Sequence, residues 1–228
     1  SDDATQKTVL KQIVVPNANA FGANIVSNVV VIPGEREYDA AQCVMTFDGD
    51  VTQIGDDAFA NRDNLLWLYI PDIVTKIGNS AFTDFDTLFY LEISENHNLT
   101  TIGNYAFQSC DILGPFFIPE GVKSIGDYAF QYCTQTNELS APNSLEVIGK
   151  GAFDSCDLQL ISLGENIKSI GERAIFGSSV PTIFCKTVTP PAIGENQFFD
   201  AEPTIYVPKA AESLYKNAAD WSDYKDYV

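Results

Sequence analysis

Residues 101–110 read TIGNYAFQSC and residues 124–133 read SIGDYAFQYC, two near-copies 23 positions apart. Working outward from them, Ile-Gly recurs at Ile54, Ile77, Ile102, Ile125, Ile148, Ile170 and Ile193, at intervals of 23, 25, 23, 23, 22 and 23 residues. Five copies keep the full I-G-x-x-A-F pattern, ending at Phe59, Phe82, Phe107, Phe130 and Phe153. A fixed period in the low twenties marks a stacked solenoid, because one short coil cannot bury its apolar walls alone.

Downstream of each Ala-Phe comes a brief apolar alternation, such as Leu68 and Ile70, Leu91 and Ile93, or Ile161 and Leu163. Period-2 alternation predicts a strand with one face buried, and a following Pro, as at Pro71 and Pro208, ends it for want of a ladder donor. Parallel strands are therefore expected near 43–47, 66–70, 89–93, 115–118, 138–141, 160–163, 182–185 and 204–207. The repeat Phe should fill the coil, and the repeat Ala should let backbones approach. The repeat Gly should supply either a positive φ or a tight contact. The I-G-x-x-A-F segment is expected to form a turn plus a short helical or 3₁₀ stretch on the outer side. The fold class is thus an α/β repeat solenoid, a horseshoe with a parallel inner β-sheet.

The pattern I-G-x-x-A-F-x-x-C-x-x-L-x-x-I-x-I-P, spread over roughly residues 43–208, resembles the BspA-like, or Treponema-type, leucine-rich repeats of bacterial surface proteins. Local departures are Ala174-Ile175 and Gln197-Phe198 in place of Ala-Phe, Thr136 in a Leu slot and Ala141 in an Ile slot. The resemblance implies a non-enzymatic cell-surface or secreted adhesion protein, with host matrix proteins, host cells or other bacteria as partner classes. Ser1-Asp2-Asp3 further resembles the acidic tract behind the lipidated Cys of exported lipoproteins. A lipid anchor lost from this chain would then be its one link to a membrane, and an outer-membrane lipoprotein or a secreted protein its location.

Residues 1–42 fall outside the period and are expected to cap the first coil, with strands at Ile13-Val14-Val15-Pro16 and Val29-Val30-Val31-Ile32. About seven repeats then occupy 43–208. Residues 209–228 should close the other end through a short amphipathic helix carrying Ala210, Leu214 and Ala218, with Trp221, Tyr224 and Tyr227 over the last rung.

Composition narrows the partners. Thirteen Lys and Arg against 31 Asp and Glu give a net charge of −18, which argues against nucleic acid, whose binding rests on neutralised phosphates. No apolar run reaches the ~18 residues that span a bilayer. The five cysteines include Cys110, Cys133 and Cys156 at one repeat position. Stacked in register their Cβ vectors run parallel, which suits a buried thiol column better than bridges or a metal site. Cys185 falls on a buried strand position, and Cys43 is left undecided.

Catalytic chemistry finds no footing. The single His, His97, lies in an inserted loop without an orienting partner. The pairs Asp48/Asp50, Asp56/Asp57 and Asp84/Asp86 match no calcium-loop spacing and are expected to be solvated turn residues. Neither a cofactor nor a metal is expected, and an enzyme is the least favoured class.

The inner face is more informative, since strand residues between buried ones point outward. One outward column is Thr46, Tyr69, Glu92, Phe117, Ser140, Ser162, Phe184 and Tyr206. The other is Val44, Trp67, Tyr90, Pro115, Glu138, Leu160, Thr182 and Thr204. Trp67, Tyr69, Tyr90 and Phe117, with Glu92 among them, form the candidate partner-binding patch, because exposed aromatic clusters tend to be interaction surfaces. The partner is expected to be an extracellular protein. A glycan-binding module and a plain spacer of a surface lipoprotein are the rival readings, and the chain is expected to be a monomer.

Overall fold

The computed structural model describes residues 52–60, 72–84, 98–110, 117–178, 180–197 and 202–228, together with strand backbone at 12–15, 43–46, 67–70 and 90–93. It is a parallel β-solenoid of about six turns. On one side, β4 (Trp67–Ile70) pairs with β6 (Tyr90–Ile93). Further along the same series lie β9 (Glu138–Ser140), β11 (Leu160–Leu163), β13 (Thr182–Cys185) and β15 (Thr204–Tyr206), side by side and parallel. These are the expected strands. Phe117 and Ile118 keep the alternation, one exposed and one buried, but lie outside the ladder's strands.

A second parallel sheet was not expected. The Ile of each Ile-Gly ends a two-residue strand: β3 (Gln53–Ile54), β5 (Lys76–Ile77), β7 (Thr101–Ile102), β8 (Ser124–Ile125), β10 (Val147–Ile148), β12 (Ser169–Ile170) and β14 (Ala192–Ile193). Together they make one seven-stranded ladder. Two residues leave no alternation to read, so the pattern could not announce it.

That ladder explains the glycine. In six consecutive coils the Gly N–H donates to the preceding Ile carbonyl at 2.8–2.9 Å, from Gly78 to Ile54 through Gly194 to Ile170. A Cβ on Gly126 would lie 2.5 Å from Asn104 N and 2.6 Å from Gly103 C, inside backbone that cannot yield. The residue is therefore there for close approach. Among the described residues positive φ falls elsewhere: three residues after each Ile, at Asp57, Ser80, Tyr105, Tyr128, Gly151, Arg173 and Asn196; seven residues after five of them, at Asp84, Ser109, Tyr132, Ser155 and Gly177; and at Gly121.

The I-G-x-x-A-F segment is a chain of turns closed by i→i+3 bonds, such as Gln131 N–H to Tyr128 O at 3.2 Å. Its other amides reach the next coil, as Asp57 N–H to Asn79 O and Phe59 N–H to Ala81 O, both 2.8 Å. Side chains extend this ladder. The Oδ1 atoms of Asp56, Asn79, Asn104 and Asp127 each accept the backbone N–H one coil on, at 2.7–2.9 Å. Asp56 is thus exposed yet structural, not merely solvated.

Inside, Phe59, Phe82, Phe107, Phe130 and Phe153 are buried and stacked, with centroids 5.0–5.3 Å apart and planes within 8°. Ile175 continues the column. Cys110, Cys133, Cys156 and Cys185 are buried thiols, as expected. The first three donate to the carbonyls of Phe82, Phe107 and Phe130 at 2.8–3.1 Å. Burial pushes the Cys185 thiol up to about 12. Thr136, in its Leu slot, is buried with an unsatisfied hydroxyl.

At the N-terminal end, β1 (Gln12–Val15) pairs antiparallel with β2 (Cys43–Thr46). The strand at 43–47 was expected as a parallel rung, so its partner is a correction; the strand expected at 29–32 lies outside the described residues. At the C-terminal end, α1 (Glu212–Asn217) and a 3₁₀ helix (Ala219–Tyr227) cover the last coil. The buried face is Ala211, Tyr215 and Trp221, while Ala210 and Leu214 are exposed, one residue off the expected stripe. Hydrogen bonds set that register: Tyr215 Oη donates to Thr187 O and Trp221 Nε1 to Pro191 O. Gln197, in an Ala slot, is fully buried and its Nε2 donates to Gly171 O and Gly194 O.

Gly126→Ala should cost at least about 1–3 kcal/mol in urea unfolding. Gly55→Ala should be nearly neutral, since no described atom lies within 4 Å of a Cβ built there. A second expectation concerns pH. A thiol whose folded pKa is raised stabilises the fold below its unfolded value near 8.5 and loses that contribution as pH climbs toward 12. Between pH 9 and 11 the wild type should therefore lose about 1.4 kcal/mol per pH unit more than Cys185→Ala, read from paired melts.

Candidate inner-face interface

The inner sheet is built by alternation. Leu139, Ile161, Ile183 and Ile205 turn into the core, and their register partners are one another across β9, β11, β13 and β15. The residues between them form two columns in register: Ser140, Ser162, Phe184 and Tyr206, and Glu138, Leu160, Thr182 and Thr204. Phe184 is 39% exposed and Tyr206 52%, and their rings stack at 4.9 Å. Phe117, at the next rung toward the N-terminus, is 65% exposed.

Of the candidate patch, Phe117 is therefore an open ring. The backbone register sets Trp67 opposite Tyr90 and Tyr69 opposite Glu92 on β4 and β6. Their side chains lie outside the described residues, as do His97, Asp48, Asp50 and Asp86. The stacked pair Phe184/Tyr206 was in the outward column but not in the patch. Its signal was legible: two aromatics 22 positions apart at one repeat position.

A further set of exposed rings escaped the strand pattern because it lies on the turns. Tyr105 and Tyr132 are 38% and 50% exposed, and Tyr105 stacks on Tyr128 at 5.3 Å with planes 12° apart. All three have φ between 56° and 63°, a conformation that bulky residues rarely take. Nearby, Gln108, Gln131 and Asp154 run as a hydrogen-bonded chain, and Arg173 pairs with Asp154 at 3.3 Å. Among the described residues no group of three His, Cys, Asp or Glu is arranged to hold a metal ion.

The family model for the BspA type leucine rich repeat region matches residues 52–217 in six copies. The chain belongs to this family. BspA-type repeats thus span nearly all of the solenoid described above. Among solved structures, a leucine-rich repeat protein from Bacteroides ovatus is 26% identical with a TM-score of 0.60, covering 78% of this chain and 45% of its own. A leucine rich cell surface protein from Faecalibacterium prausnitzii is 29% identical with a TM-score of 0.61, covering 77% and 46%. The chain accordingly spans less than half the length of either relative. No curated protein matches it.

Phe117→Ser should leave the melting midpoint nearly unchanged, within about 0.5 kcal/mol. Leu139→Ala, at a buried position one rung on, should cost about 2–5 kcal/mol. Equal shifts in thermal melts would mean that the inward and outward columns are exchanged.

Proposed function

We propose that this BspA-type repeat protein is a non-enzymatic binding protein, exposed at the cell surface or secreted, that offers its inner sheet to an extracellular macromolecule. The observation that carries the reading is Phe117, an open ring on the sheet face. The exposed pair Phe184/Tyr206 supports it from the same column, and the register of Trp67 with Tyr90 and Tyr69 with Glu92 from the neighbouring rungs. Interfaces concentrate aromatic side chains in this way. The surface location is drawn from the relatives, one of which is described as a leucine rich cell surface protein. Adhesion to a host matrix protein, a host cell or another bacterium is the role such a face would serve.

A glycan is the second reading. Ser140 and Ser162 lie between Phe117 and Phe184 in one column, and Glu138 is exposed beside them. Rings with hydroxyls and a carboxylate between them also suit a neutral sugar.

Binding of the purified chain to arrays of matrix proteins and of glycans separates the two readings. Trp67→Ala with Tyr90→Ala should then weaken the captured partner by about 2 kcal/mol or more while the melting temperature holds. A large loss of stability with binding intact would show these rings to be packing residues and would move the search to the loops.

A further inference from the structure

The turn side of the solenoid repeats one arrangement twice. Three residues after Ile54, Ile77 and Ile102 stand Asp57, Ser80 and Tyr105. Seven residues after Ile77, Ile102 and Ile125 stand Asp84, Ser109 and Tyr132. Each trio occupies consecutive coils, and each of the six residues has φ between 50° and 63°. Their amides all donate to the next coil: Asp57 to Asn79 O, Ser80 to Asn104 O and Tyr105 to Asp127 O, then Asp84 to Gln108 O, Ser109 to Gln131 O and Tyr132 to Asp154 O. With one backbone conformation and one ladder, the side chains of a trio leave the chain in the same direction. A carboxylate and a phenol ring thus stand two rungs apart with only a serine between them, a gap of about 10 Å.

Ring geometry opens the gap in the right sense. Tyr105 and Tyr128 are 5.3 Å apart and nearly coplanar in tilt, so their normals run along the stack. Tyr128 covers one face of Tyr105, and the other face looks toward the rung of Ser80. Tyr132 has Ser109 and Ser155 as its column neighbours and is half exposed. A tyrosine pays conformational energy to sit at positive φ, where Asp, Ser, Asn, Gly and one Arg, Arg173, fill the equivalent sites in other coils. Stacking within the solenoid accounts for Tyr128, whose ring lies against Gly151, but not for the open face of Tyr105 or for Tyr132.

The same face shows what fits. Two coils further on, the Arg173 guanidinium lies 3.8 Å from the centre of the Phe176 ring and 3.3 Å from Asp154 Oδ2. There the chain supplies its own cation to a ring and a carboxylate. Lys150 is likewise engaged, with Glu172 at 2.8 Å. Among the described residues of this face, both cations are paired internally, while Asp57, Asp84, Asp127 and Asp157 are exposed carboxylates. The chain as a whole carries −18.

We propose that the two trios, Asp57–Ser80–Tyr105 and Asp84–Ser109–Tyr132, are paired sockets for the arginine side chains of a basic polypeptide segment. A guanidinium resting on the serine lies one rung, about 5 Å, from the ring on one side and from the carboxylate on the other. That is within reach of a cation–π contact and of an ion pair at once. The site is on the turn side and stands or falls apart from the inner-face interface.

The test is fluorescence anisotropy at low salt with a fluorescein-labelled peptide of alternating arginine and glycine. Tyr105→Asn with Tyr132→Asn removes both rings and places a residue tolerant of positive φ at each site, so the melting temperature should hold or rise. Peptide affinity should fall by about tenfold. Asp57→Asn with Asp84→Asn should also weaken binding, whereas Asp220→Asn with Asp226→Asn, the same charge change at the far end of the chain, should leave it within about twofold. Wild-type protein that fails to bind the peptide would overturn the proposal. So would an unchanged affinity in the tyrosine variant, or equal losses from the two aspartate pairs, which would mark diffuse attraction to an acidic surface.

Discussion

Everything in this molecule follows from how closely one coil can lie on the next at the Ile-Gly dipeptide. The hydrogen bond from each Gly N–H to the preceding Ile carbonyl fixes the separation of the coils. At that separation the position after Ile, from Gly78 to Gly194, has no room for a Cβ, and the residue must be glycine. Once the spacing is set, the phenylalanines fall into a stack at 5.0–5.3 Å, the thiols reach carbonyls of the neighbouring coil, and Asp and Asn side chains cap the amides of the following coil. Each coil is therefore held mainly by its neighbours, as expected of a quasi-one-dimensional repeat.

What the amino-acid pattern disclosed and what it withheld divide along physical lines. Side chains that repeat in kind were legible: the Phe column, the Cys column and the strands marked by Leu139, Ile161 and Ile183 all stand where periodicity put them. Backbone features that repeat while the side chain varies were not. The left-handed positions carry Asp, Ser, Tyr, Gly, Arg and Asn in turn, so no single residue type betrays them. The Ile-Gly strands are too short to alternate. At the C-terminal end, Ala210, Leu214 and Ala218 have a helical spacing as good as the true one, and the buried bonds of Tyr215 and Trp221 chose between them.

The same division holds for the candidate surfaces. Alternation was enough to place Phe117, Phe184 and Tyr206 on the open side of the inner sheet. The tyrosines of the turn side have no such rule, because their display depends on φ and not on a period of two. One scaffold thus exposes aromatic side chains on two faces by two unrelated mechanisms, pleating on one and left-handed turns on the other.

The C-terminal end of the stack is covered, and Gln197 is where the cover begins. Coils before it carry Ala in that slot and accept a successor; Gln197 folds its amide back onto Gly171 and Gly194 carbonyls, and its backbone N–H donates to Tyr224 Oη, whose ring lies edge-on to Trp221. The edge strands β14 and β15 would otherwise be templates for a second molecule to continue the ladder. A solenoid without such a terminator is an open polymer of coils with no preferred length. Gln197 and the aromatic residues behind it cover this end of the ladder.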